Sequence, residues 1–169
     1  MAATLHFRVT YGPSADPTVE TTDAADLNLL SADLGSGETP AAYPIISPDE
    51  GTNYSYERWF RVYVVDMGGS SRIQNLRIYA DTATPSTGCT IKYGDSPTYA
   101  TPVATASTIA TSNIPISLPS ENLYIGGSAG GYMDTNGDAS DYGVLQLSVS
   151  STATVGGNAQ ISLVYDEVA

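Results

Sequence analysis

The chain holds one histidine, His6, and one cysteine, Cys89. Nucleophilic catalysis on a serine or cysteine needs a base that a third group orients. No carboxylate stands near His6 in the sequence. A histidine-type zinc site would need several further ligands of the right kind. The two-carboxylate chemistry of glycoside hydrolysis is open to any chain with 18 acidic residues, so it singles out no pair. The expectation is no catalytic residue and no enzyme, with His6 as a strand histidine facing solvent.

Two groupings carry more specific chemistry. In Asp134-Thr-Asn136-Gly-Asp138-Ala-Ser140-Asp141, oxygen-bearing side chains fall at alternate positions around a glycine. Hard cations need several converging oxygens, and Asp134, Asn136 and Asp138 could supply three to calcium. A full calcium loop of this type expects Gly where Ala139 stands and Glu where Leu145 stands. The competing reading is a surface turn in which Asp and Asn cap their own backbone. The second grouping is Trp59, Arg61, Tyr63, Arg77 and Tyr79. These are the residue types enriched at protein contact surfaces, and they also suit stacking on sugars. They form one exposed interface if their two segments pair as neighbours. If both faces of that pair are covered within the domain, they form none.

The elements that must position these residues read as strands. Leu5, Phe7, Val9 and Tyr11 alternate with polar neighbours until Gly12-Pro13 stops the run. Tyr54 to Asp66 sets Phe60, Val62 and Val64 on one face and Trp59, Arg61, Tyr63 and Val65 on the other. Arg72 to Ala80 sets Leu76, Ile78 and Ala80 against Arg77 and Tyr79, and the intervening Gly68-Gly69-Ser70-Ser71 predicts a hairpin. Residues 88–93, 114–118 and 122–125 read as extended, and Asp26 to Leu30 as a short strand. Leu145, Leu147 and Val149 form a penultimate strand, and Ile161, Leu163 and Tyr165 a last one, joined by a turn at Gly156-Gly157-Asn158. Gly126 to Asp141 reads as a long loop whose glycine-rich start lacks the lysine of a phosphate loop. With no helical period, about eight short strands predict an all-β, antiparallel β-sandwich of jelly-roll-like kind. The 169 residues form a single β-sandwich domain, 1–169, with 13–53 as an extended arm or loop region within it.

Charged residues make up 14% of the chain and the net charge is −12. A field of that sign opposes nucleic-acid binding. Five of the six basic residues lie between Arg58 and Lys92. The bland reading is charge balance across the sheet; the sharper one is a basic centre that meets an acidic surface on a neighbour. The single cysteine rules out an intrachain disulfide, and Cys89 reads as a buried, inert thiol. No signal peptide and no membrane-spanning run is visible, so synthesis in the cytoplasm is expected. Asn53-Tyr54-Ser55 matches a glycosylation sequon that carries little weight without such a signal.

The runs Tyr56-Glu57-Arg58-Trp59-Phe60-Arg61-Val62 and Ser71-Arg72-Ile73-Gln74-Asn75-Leu76-Arg77-Ile78-Tyr79 resemble segments of small β-sandwich proteins of tailed bacteriophages. The stretch from Ser140 to Leu147 and the close Leu163-Val164-Tyr165-Asp166-Glu167 resemble the end of such proteins. The resemblance spans roughly residues 54–168. It implies a virion part without catalysis, such as a capsid decoration (cement) protein. The partners it implies are the major capsid protein or another virion protein and further copies of the chain, a trimer being favoured. It implies no cofactor beyond a possible calcium ion. A carbohydrate-binding or adhesin-like module, with the aromatics lining a groove and calcium at Asp134, is the alternative.

Overall fold

The computed structural model describes residues 1–83, 86–154 and 159–169. Among them the chain is all-β, in two antiparallel sheets that face each other as a sandwich. The strands are β1 (Thr4–Tyr11), β2 (Thr18–Val19), β3 (Thr52–Tyr54), β4 (Arg58–Asp66), β5 (Arg72–Ala83), β6 (Cys89–Ser96), β7 (Ser112–Asn113), β8 (Tyr132–Met133), β9 (Tyr142–Ser150) and β10 (Ala159–Val168). The count exceeds the expected eight because β2, β3, β7 and β8 are pairings of two or three residues that no alternation announces.

The larger sheet runs β2-β1-β4-β9-β6-β7, with β3 also on β9. The smaller runs β10-β5-β8. Phe60, Val62 and Val64 of β4 meet Ile73, Leu76, Ile78 and Ala80 of β5 across the core, with Leu123, Met133 and Leu145. Burial of side chains this size stabilises by about 1.5–3 kcal/mol each. Phe7 stands edge-on to Phe60, with ring centroids 5.5 Å apart. A Cβ on Gly143 would overlap the Phe60 ring, so glycine there lets β9 pass directly under it.

Three expectations are corrected. β4 and β5 do not form a hairpin: β4 pairs with β1 and β9, whereas β5 pairs with β10 and β8. The Gly68-Gly69 turn carries the chain from one sheet to the other, and the amide of Gly69 donates to the carbonyl of Met1. Asp26 to Leu30 is not a strand; Leu30 is buried, and the Asn28 and Leu34 carbonyls accept from the buried Arg58 guanidinium. Cys89 is half-buried, at the start of β6. The extended reading of 122–125 survives as a bridge between Leu76 and Leu123. There the Asn122 side chain accepts from the Ile78 amide and donates to the Ile78 carbonyl, as a neighbouring strand would. The turn expected at 156–158 lies outside the described residues.

Residues 13–53 lie against the domain itself. Glu20 and Ala24 donate their amides to the Val9 and Phe7 carbonyls, so residues 18–24 line the outer edge of β1, while Thr52–Tyr54 pairs with β9. Burial lowers the Arg58 pKa, against the pull of Glu20 and Asp33. The same burial raises Asp33, although Gly12 and Arg58 oppose it.

Candidate functional site

Strand pairing decides which side chains share the face of the larger sheet that points away from the core. Arg8 stands directly opposite Arg61, His6 opposite Tyr63, and Thr10 opposite Trp59. Trp59 in turn stands opposite Val144 of β9. Residues 137–140 continue this neighbour beyond β9, exchanging backbone hydrogen bonds with Val62 and Val64.

One end of this face is covered. Trp59 is fully buried and packs with Ala110 and Val144. Its ring meets Tyr99 at 5.1 Å and Tyr142 at 5.7 Å, both edge-on. Its Nε1 donates to Glu57 Oε2. The cover is the segment 97–111, which Gln146 holds in place. Gln146 Nε2 donates to the carbonyls of Ser55, Val103 and Thr105, and its Oε1 accepts from the Ser107 amide at 2.8 Å. The segment also lies over Gly94, where a Cβ would overlap the Ile109 carbonyl.

The other end carries cations and tyrosines in alternation. Arg8 lies over the Tyr63 ring at 4.4 Å. Arg61 lies 5.8 Å from the same ring and 4.8 Å from that of Tyr142. The result is a continuous ladder, Arg8–Tyr63–Arg61–Tyr142, ending on the Trp59 cluster. Arg61 is further fixed by donating Nε to the Ser140 carbonyl. Stacking of this kind contributes about 0.5–1 kcal/mol per contact at exposed sites. Among the described residues the one ion pair is Arg77–Asp166, so neither Arg8 nor Arg61 has a carboxylate partner.

The structure thus brings Arg61 and Tyr63 together, places Trp59 beneath them out of reach, and puts Arg77 and Tyr79 on the other sheet. Arg77 there pairs with Asp166, which also accepts from Asn75 Nδ2 at 2.7 Å. Asn75 has φ +54°, a left-handed bulge residue. The sequence alone does not reveal Arg8 or Tyr142 as members of the face, because each joins it through a pairing partner far along the chain.

In the Asp134–Asp138 turn, the side chains of Asn136 and Asp138 accept from backbone amides. Asp138 Oδ2 accepts from the amides of Asp134 and Thr135, and Asn136 Oδ1 from that of Met67. Burial alone would push Asp138 up, but these amide bonds outweigh it and hold the carboxyl below its ordinary value. Among the described residues no three His, Cys, Asp or Glu side chains are arranged to hold a metal ion.

A second acidic group anchors the neighbouring loop. Asp141 accepts from the amides of Gly126 and Gly127, Glu121 from Gly130, and Asp95 from Tyr124. Burial, with the like charges of Asp141 and Glu121, pushes Asp95 up to about 6 against the Tyr124 hydrogen bond.

No protein-family model, curated protein or solved structure matches the chain.

Proposed function

We propose that the chain is a non-enzymatic structural protein of a tailed-bacteriophage virion, a decoration protein that binds the outer capsid lattice through the ladder face. The observation that carries this reading is the arginine–tyrosine ladder without carboxylate partners on a protein of net charge −12. A strongly acidic exterior keeps free copies soluble. A rigid Arg/Tyr patch supplies contact area at low ordering cost. The resemblance of residues 54–168 to small phage sandwich proteins supplies the class of partner.

Co-sedimentation tests it. The purified protein is mixed with expanded capsids assembled from a tailed-phage major capsid protein, and pelleted. Saturable recovery at a fixed ratio to capsid subunits is expected, and Arg8→Glu should reduce it. Recovery no greater than that of an unrelated acidic protein, together with binding on a glycan array, would overturn the reading in favour of a carbohydrate-binding module.

A further inference from the structure

We infer that in the free protein the ladder face joins two copies of this chain, each laying Arg8 and Arg61 on the acidic edge formed by the other copy's residues 16–26, a contact that capsid binding replaces. This rests on the reading of the ladder as a protein-contact surface.

Charge complementarity within one chain is the first ground. Between Arg8 and Arg58 there is no basic residue, and nine of the 18 acidic ones lie there, from Asp16 to Glu57. Asp16, Asp23, Asp26, Asp49 and Glu50 are exposed. Glu20 and Asp33 act on the buried Arg58, which leaves Asp16, Asp23 and Asp26 as the exposed carboxylates of the stretch beside β1, while Arg8 and Arg61 have no carboxylate partner among the described residues.

Placement is the second ground. Residues 18–24 line the edge of β1 next to the ladder, whereas Thr52–Tyr54 pairs with β9. The Glu20 amide donates to Val9, and Asp23 Oδ1 accepts from the Phe7 amide at 2.8 Å. Arg8 lies between those two positions. When donor surface and acceptor surface are neighbours on one edge, a two-fold axis beside that edge satisfies both at once, because each contact is then repeated by symmetry. Arg8 itself is stacked over Tyr63 on the sheet face.

The net charge opposes association at long range. The Debye length is about 10 Å at 0.1 M salt, so the repulsion between two acidic bodies is mostly screened there while contact pairs persist. Association should be weak at about 0.01 M salt, strongest near 0.1 M and lost near 1 M.

Light scattering on the full chain reads this directly. At about 0.1 M salt the wild type should show twice the monomer mass. Arg8→Glu should weaken association by about tenfold or more, with circular dichroism unchanged and the melting temperature lowered only by the loss of the Arg8–Tyr63 stack. The double variant Asp16→Lys/Asp26→Lys should do the same, and a mixture of the two variants should associate again because both charges are reversed. Arg61 is left intact since it also holds the Ser140 carbonyl. A wild type monomeric at all three salts, an Arg8→Glu protein of unchanged mass, or a mixture that stays monomeric would each overturn the inference. A monomer that still pellets with capsids would overturn it while leaving the decoration reading intact.

Discussion

Arg61 lies over the ring of Tyr142, 4.8 Å from its centroid, and the same guanidinium donates to the carbonyl of Ser140. One side chain therefore ties β4 both to β9 and to the irregular segment that precedes it. Its charge serves the surface, and its planar fork serves the fold.

Removing that fork should separate the two roles. Arg61→Ala is expected to lose about 1–3 kcal/mol of stability, since the stack goes and the Ser140 carbonyl loses a charged donor. Arg61→Lys keeps the charge but not the planar geometry, so its loss should fall between wild type and Ala. Urea unfolding of the three proteins checks the order; equal midpoints would contradict it.

Gln146 is the peg for segment 97–111. Gln146→Leu keeps the volume but leaves the Ser107 amide and the Ser55 and Thr105 carbonyls without their partner. A cost of about 2–4 kcal/mol is expected, together with faster amide exchange across 97–111. Unchanged protection at Ser107 would show that the segment is held by other means.

How much of this was readable from the sequence differs between strand and neighbour. Alternation identified β4 and β5 and assigned Phe60, Val62, Leu76 and Ile78 to the core correctly. It could not say whether the two strands lie side by side or face to face, because either arrangement buries the same faces. The glycines at 68 and 69 fit a hairpin and a sheet-to-sheet crossing equally well. Alternation with Leu145 and Leu147 puts Gln146 on the polar side of its strand, where it lies, yet it is buried there. Its cover comes from a loop 40 residues earlier, and no local pattern encodes that. Arg61 and Tyr63 were found because they share one strand; Arg8 and Tyr142 needed the pairing.

Asp95 gives the protein a pH dependence of unusual sign. Its carboxyl is raised from 3.8 to about 6 in the folded state. The folded protein then holds this proton more tightly than the unfolded one, so stability rises as pH falls through about 6 and levels off near 4. The full displacement corresponds to about 3 kcal/mol. Solvent screening of a partly exposed carboxyl reduces that to about 1 kcal/mol. Asp95→Asn should be the more stable protein at pH 7 and should lack this rise, since its amide oxygen can still accept from Tyr124. Melting curves between pH 4 and pH 8 decide it; a wild type that only loses stability on acidification through 6 would refute the assignment.

Asn75 sits in the left-handed region at the β5 bulge and donates to Asp166. Asn75→Ala loses that bond and strains the backbone, for an expected cost of about 2 kcal/mol. Asn75→Gly loses only the bond and should be the milder change. Thermal melts in which Ala matched or exceeded Gly would contradict the bulge as the cause.

The pairing of β9 has a consequence for synthesis. This strand, Tyr142–Ser150, is the partner of β3, β4 and β6 together. A nascent chain that has not yet passed residue 150 has β1 and β4 but nothing to close the far side of β4 or to collect β3 and β6. Those edges stay unsatisfied on the ribosome until residues 142–150 emerge. Pauses in translation before Tyr142 therefore prolong exposure of the β4 edge at Arg58–Phe60, and chaperone binding to stalled chains should be strongest there.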